Sequence, residues 1–368
     1  MKTIVITDGK YRSAISAARS LARGGWRVVV TQTRLDTKTE PPVFSSRCVA
    51  ESVWIEGAAA DADYPARLAA VLARYDRPAL LCVGAASLNA VSRARETLSP
   101  LCGMLIAPPA VLDHLNDKAA VHARALELGL PVPKEYHGAP ETYPVVIKPH
   151  CGEKFGLKAA DRYRIARTPE EYAAALAAMR PYDPDPIVQE YVSGEGRGAS
   201  LLLDQNGELV TALCHRRVRE YPISGGPSAC CESIYDPEMI DRAYRLLRSF
   251  GFTGLAMVEF KGECILEVNP RVWGSFPLTT TAGSPMAVRY AEAASGKAEP
   301  AVLPDYRVGV RMRFLLNDTL AVLKLFLARR WREAFSGLAD TFRAREALWD
   351  RKDPKPFWRY LKTTILGK

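Results

Sequence analysis

The chain opens on an alternation between apolar runs and amphipathic stretches. Thr3 to Thr7 is a short β-rich run, Ala14 to Arg23 carries small and apolar residues at helical spacing, and Trp26 to Thr31 returns as a strand through Arg27-Val28-Val29-Val30. Pro65 to Tyr75 and Ala79 to Gly84 repeat helix then strand, the latter apolar throughout, as expected of a parallel strand covered on both faces. Such alternation predicts an α/β domain with a parallel sheet, ending near Pro108-Pro109.

Beyond it the pattern changes. Val111 to Leu128 predicts one helix that stops at Gly129, a C-terminal cap, and Leu130-Pro131-Val132-Pro133 forces an extended exit. Pro144 to Pro149 predicts a short buried strand ending in Lys148, followed by a loop containing Gly152 and Gly156. A helix over Pro169 to Met179 and a strand over Pro186 to Tyr191 follow. Ala199 to Asp204 and Glu208 to Cys214 read as a hairpin through Gln205-Asn206-Gly207. A helix over Pro237 to Phe250 leads to the strands Gly254 to Phe260 and Cys264 to Val268, joined at Lys261-Gly262-Glu263. No internal repeat or low-complexity stretch is present.

Composition narrows the class. With 368 residues, 48% hydrophobic and 25% charged, the chain suits a soluble globular protein of two or three domains. The start runs directly into strand sequence without a secretory leader pattern, which predicts a cytoplasmic chain. Eight scattered cysteines, including Cys230-Cys231, form no CxxC pair and read as reduced, packed thiols. The formal net charge is +9, and residues 306–368 hold 15 Lys and Arg against 6 Asp and Glu, the same surplus. Basic charge confined to one tail excludes a nucleic-acid groove through the body and leaves two readings, a solvated face or an acidic partner such as a membrane or protein surface.

The sharpest chemistry lies in the last hairpin. Glu267 and Asn269 are two apart and share a strand face, which Glu259 on the partner strand can also face. Two carboxylates and an amide oxygen among apolar neighbours call for a cation, and hard oxygen ligands suit magnesium bridging nucleotide phosphates. Outward polar positions of a surface hairpin are the alternative. Lys148 ends a buried strand as a phosphate contact or as a snorkelling side chain. Asp8 to Ser13 occupies the first strand-to-helix turn, but it lacks the GxGxxG spacing of a dinucleotide site and reads as a turn freed by Gly9.

These pieces occur in an order that resembles the ATP-grasp superfamily: Asn116-Asp117-Lys118, Leu128 to Pro133, Val146-Ile147-Lys148-Pro149, Gln189-Glu190-Tyr191-Val192, then Glu259 and Glu267-Val268-Asn269-Pro270-Arg271. The resemblance covers roughly Ile4 to Gly296 and points to carboxylate-amine ligases and the large-subunit fold of carbamoyl-phosphate synthase. It implies α/β and α+β architecture in four parts: an N-terminal parallel α/β domain (1–110), a linker helix with the ATP lid lobe (111–192), a C-terminal antiparallel catalytic subdomain (193–300) and a basic helical extension (301–368). By resemblance, Lys118 and Lys148 contact ATP phosphates, and Lys148 and Arg271 serve catalysis. Gln189 and the backbone near Tyr191 and Val192 read adenine, Glu190 is a further ATP-binding residue, and Glu195 binds ribose. Glu259, Glu267 and Asn269 hold Mg2+ or Mn2+. The lid loop from Cys151 to Lys158 is more charged and less glycine-rich than the family's usual loop.

Specificity is expected around His215, Arg217, Arg219, Ser224 to Ser228, and Trp273-Gly274-Ser275. By alternation Arg217 and Arg219 share a face, where guanidiniums could clamp a carboxylate; a solvated strand face is the alternative. His215 reads as pocket lining rather than a base, and Cys230-Cys231 as core packing. The implied activity is ATP-dependent amide formation through an acyl phosphate. Bicarbonate-dependent carboxylation or carbamoylation, or a non-catalytic nucleotide-binding regulator, are the alternatives. Leu320 to Ala328, followed by Arg329-Arg330-Trp331-Arg332, is too short to span a bilayer, and fits either interfacial membrane binding or packing on the body.

Overall fold

The computed structural model describes residues 2–150, 157, 163–223, 225–300 and 302–366. The N-terminal strands β1 (Thr3–Ile6), β2 (Arg27–Thr33), β3 (Glu51–Ile55) and β4 (Ala79–Leu81) form a parallel sheet in the order β3-β2-β1-β4. At the edge where open α/β sheets bind ligands, the protein fills its own mouth. Asp8, with φ of 59°, is the left-handed residue of the first turn, in place of the expected Gly9. Its carboxylate accepts from Gly84 N at 2.9 Å, at the start of the helix Ala85–Arg93, and from the Thr7 and Ser87 hydroxyls. The helix N-terminus that would attract an anionic ligand is thus neutralised internally.

The predicted helix over Val111 to Leu128 is two helices, Pro109–Asn116 and Lys118–Glu127. Asp117 divides them because its side chain accepts from Ala119 N at 2.9 Å and Ala120 N at 3.3 Å, capping the second helix. Gly129 follows with φ of 69°, and Leu130 N closes the end onto Ala125 O. The chain then enters a three-stranded sheet of β5 (Val145–Lys148), β6 (Arg164–Ala166) and β7 (Ile187–Glu190), ordered β6-β5-β7. One face, with Val145, Ile147, Ala166 and Val188, packs on Ala175 and Met179 of the helix Pro169–Met179 as a small separate core. Register places Val146 opposite Gln189 and Lys148 opposite Ile187, so Lys148 and Gln189 share the other face.

The largest sheet has the order β12-β11-β8-β9-β10-β13-β14, comprising β8 (Gly196–Leu203), β9 (Leu209–Glu220), β10 (Ser228–Ile234), β11 (Gly254–Lys261), β12 (Cys264–Asn269), β13 (Arg311–Arg313) and β14 (Arg345–Glu346). One face buries Ala199, Leu201, Ala212, Val258 and Val268 with Met239, Ile240 and Leu246 of the helix Pro237–Ser249. The opposite face meets the N-terminal domain through Leu202, Leu213, Met257 and Met312. Beyond that contact, the same face carries a polar row.

The basic extension is woven into the body rather than standing as a unit after residue 300. It supplies β13 and β14, and then the helices Leu315–Leu327 and Trp331–Arg343. A last helix, Lys355–Leu366, returns to the N-terminal domain, where Arg19 Nε lies 2.9 Å from Asp353.

Candidate active site

The polar row crosses five strands. Glu267 on β12 pairs directly with Glu259 on β11, Glu259 with Gly198 on β8, Gly198 with His215 on β9, and His215 with Ser233 on β10. Directly paired residues share a face, so the expected juxtaposition of Glu259, Glu267 and Asn269 is present; Asn269 Nδ2 donates to Glu259 Oε1 at 3.1 Å. Arg271 Nη2 approaches Asn269 Oδ1 at 3.5 Å and its Nη1 donates to Val272 O at 3.2 Å.

Burying two adjacent carboxylates requires compensation, and two cations supply it. Lys118 Nζ lies 3.1 Å from Glu267 Oε2. Lys118 stands in the first turn of its helix, where the dipole disfavours a cation, so Glu267 holds it there against local preference. Arg217 donates to Glu259, and its Nη1 also reaches Glu220 Oε1 and Gly226 O, each at 3.3 Å. Burial drives the Glu259 carboxyl above the ordinary range, with the Glu267 charge adding to it and Arg217 opposing. Burial pushes Glu267 the same way, but Lys118 and Lys148 outweigh it and hold that carboxyl low. Lys148 is drawn down to about 8 by burial and by Lys118, with Glu267 and Glu135 pulling back.

Two glycines let Arg217 reach Glu259. β8 lies between β9 and β11, so the side chain must cross a strand, a distance of about two 4.8 Å spacings. A Cβ on Gly196 would sit 2.9 Å from Arg217 Cδ, and one on Gly198 would sit 2.5 Å from His215 Cε1. Gly196 and Gly198 thus form a trough in which Arg217 and His215 lie flat. His215 is 1% exposed, with Nε2 3.4 Å from Ser275 Oγ; burial and Arg217 push it down to about 3, so it is neutral near pH 7.

Across from the row, the β6-β5-β7 sheet presents Lys148 and Gln189. Gln189 is buried, and its Oε1 has no hydrogen-bond partner among the described residues, an acceptor suited to an adenine amino group. Glu190 instead accepts from Lys134 N at 2.9 Å, while Tyr191 is exposed and Val192 half-buried. The lid loop residues 151–156 and 158, and Ser224, lie outside the described residues. Sequence reasoning passed over His122, which is one helical turn from Lys118 on the same helix. Its Nδ1 lies 2.6 Å from Glu135 Oε1 and its Nε2 3.0 Å from Leu266 O. The ring thus ties Glu135, ahead of β5, to the strand that carries Glu267.

Four expected substrate or nucleotide contacts lie elsewhere. A bulge at Val218 pairs Arg217 with Cys231 but Arg219 with Cys230, putting the two arginines on opposite faces. Arg219 is buried against Asp318 at 2.7 Å and Asp340 at 2.6 Å, as a structural clamp on the C-terminal helices. Glu195 pairs with Arg216 at 3.0 Å, on the face behind the Glu259 row. Trp273 is 2% exposed, packed edge-on to Phe276 at 5.2 Å in the core. Ser228 sits opposite Glu220, at the start of β10, off the row. Cys230 and Cys231 are buried thiols, pushed by burial to about 12 and beyond, as packing residues would be.

Among the described residues, no cluster of three or more His, Cys, Asp and Glu forms a metal site. The set formed by Glu259, Glu267 and Asn269 is instead two carboxylates and an amide. Its hard oxygens, and a face that already demands positive charge, fit a magnesium ion that shares its shell with phosphate and water.

Residues 115–275 match a family model described as an ATP-grasp domain. Among solved structures, the chain is similar to a biotin carboxylase from Campylobacter jejuni in complex with β-γ-ATP (TM-score 0.61, 16% identity, 84% of this chain and 74% of that one). It is also similar to the biotin carboxylase domain of the Hydrogenobacter thermophilus 2-oxoglutarate carboxylase, in complex with MgADP, ADP and bicarbonate (0.61, 14%, 84% and 73%). An L-amino acid ligase from Bacillus licheniformis is a further similar structure (0.57, 13%, 82% and 78%). No curated protein matches the chain in sequence.

Proposed function

We propose that this chain, whose residues 115–275 match an ATP-grasp domain, is an ATP-dependent carboxylate-amine ligase. ATP phosphorylates a carboxylate in the cleft between the β5–β7 lid and the large sheet. An amine then attacks the acyl phosphate, giving an amide, ADP and phosphate. The observation that carries the reading is the convergence of Lys118 and Lys148 on Glu267, beneath a lid face that offers the free acceptor of Gln189.

Each residue's part follows from its surroundings. Lys118 and Lys148 grip the nucleotide phosphates, and Lys118 exchanges Glu267 for a phosphate as it does so. Gln189 Oε1 accepts from the adenine amino group. Glu259, Glu267 and Asn269 would hold magnesium, which supplies neutralisation of phosphate charge when bound. Arg271, beside Asn269, faces the transferred phosphoryl and the oxyanion left on the acid. Arg217 opposes the upward pull of burial on Glu259, and neutral His215 lines the trough beside it. Lid closure excludes water, which would otherwise hydrolyse the acyl phosphate.

Hydroxylamine trapping across a library of carboxylic acids, read together with ADP release, tests this directly. An acid-dependent hydroxamate is the expected result. ADP formation that needs bicarbonate and no organic acid would redirect the reading to carboxylation, and ATP binding without turnover on any acid and amine would favour a regulatory nucleotide-binding protein.

A further inference from the structure

The Leu315–Leu327 and Trp331–Arg343 helices fold back on each other through Ala328, Arg329 and Arg330, with Arg329 at a φ of 57°. One side of each is buried, through Asp318, Ala321, Val322 and Leu325 on the first helix and Ala334, Gly337 and Asp340 on the second. Away from that side, Leu320, Leu323 and Leu327 recur at helical spacing, and Trp331, Phe335, Leu338 and Phe342 do the same. All seven are exposed, Phe342 by 92% and Leu327 by 69%. The two stripes meet at the turn, where Phe326 lies edge-on to Trp331 at 5.9 Å and to Phe335 at 5.6 Å.

Charge identifies what this surface faces. Lys324, Arg329, Arg330, Arg332 and Arg343 are all exposed around the stripes. Of the three acids in the two helices, Asp318 and Asp340 are turned inward onto Arg219, and only Glu333 is exposed, beside Arg330. Folding therefore withdraws two of the three negative charges and leaves apolar and aromatic side chains rimmed by cations.

We propose that this helical hairpin is a docking surface for an anionic lipid bilayer. Its Leu, Phe and Trp side chains enter the boundary between headgroups and acyl chains, and its guanidiniums meet lipid phosphates. A second copy of the chain fits less well, because two such faces would bring their cation surpluses together. No helix of the described residues is long and apolar enough to cross a membrane, so the contact is peripheral. Asp318 and Asp340, clamped on Arg219, keep the hairpin on the large sheet, so it docks as part of the folded body.

Cosedimentation of the full chain with phosphatidylcholine vesicles, with and without phosphatidylglycerol, tests the proposal. Binding is expected only where phosphatidylglycerol is present, and it weakens as salt is added. The double variant Leu327→Asp/Phe342→Asp should lose at least about tenfold in binding, and Arg332→Gln or Arg343→Gln about fivefold each. These positions are exposed and distant in sequence from the row of carboxylates, so thermal unfolding and ATP turnover should match the parent chain. Absence of binding to either vesicle, equal binding to both, or a dimer on sizing that the double variant dissociates would each overturn it.

Discussion

Glu259 and Glu267 stand directly opposite each other on β11 and β12, yet each is held by a cation from a different part of the chain: Arg217, reaching across a strand, and Lys118, at the head of a helix. The pairings divide the labour. Arg217 belongs to the same sheet as its partner and is immobilised by three acceptors. Lys118 is placed against its helix dipole, and on the proposed function it exchanges Glu267 for a phosphate.

From this asymmetry, Glu267→Gln should fold normally and lose ATP turnover by about 100-fold or more, since a cation ligand acting on developing phosphate charge is removed. Steady-state kinetics with a magnesium titration checks it. Turnover left intact would sink the ligand assignment.

Gly198→Ala should cost about 1–3 kcal/mol of stability, because the added methyl overlaps the His215 ring in a buried trough. Displacing that ring also disturbs Arg217, so activity should fall with it. Gly138→Ala, where the added methyl meets nothing within 4 Å, serves as the control and should change stability by less than about 0.5 kcal/mol. Thermal or urea unfolding of the two variants distinguishes a steric cost from a general glycine effect.

On the proposed function, Lys148, drawn down to about 8, should make nucleotide binding pH-dependent. As pH rises through that value in the free protein, the ammonium loses its proton, so ATP affinity should weaken between neutral pH and about pH 9. Lys148→Arg, which stays charged, should flatten the profile. The same shift has the opposite sign for folding. Between about 8 and the ordinary lysine value the unfolded chain binds more protons, so this group makes the free protein more stable as pH rises. Calorimetric titration and denaturant unfolding across that range should therefore move in opposite directions.

The clamp on Arg219 predicts acid lability of the C-terminal helices. Burial works to raise the Asp340 carboxyl, but Arg219 and Arg311 hold it below the ordinary range. A carboxylate depressed in the folded state contributes stability that is complete above the ordinary value of about 3.8 and is lost as pH falls through the folded one. Asp340→Asn should cost about 1–3 kcal/mol at neutral pH by removing one of the two carboxylates that face Arg219, and should flatten the decline of stability below about pH 4. Urea midpoints measured against pH for both proteins check both parts.

What the sequence by itself determined were features set by neighbours along the chain. Period-two alternation on β11 and β12 places Glu259, Glu267 and Asn269 on one face, and Lys148 closes a short apolar strand; both are legible because strand geometry is local. Tertiary structure decided what depends on long-range register and on competition for partners. A single bulged residue at Val218 reverses the face of Arg219, and no local pattern announces it. Asp8 fills the mouth of the parallel sheet because Gly84 and Ser87 happen to arrive there from more than seventy residues away. The same holds for the extension, whose apolar and basic composition was visible but whose division into a buried, salt-bridged side and an exposed, cationic one was not. That division exists only because Arg219 and Arg311 draw Asp318 and Asp340 inward, and a buried guanidinium selects its carboxylates by proximity in the fold rather than by spacing in the chain.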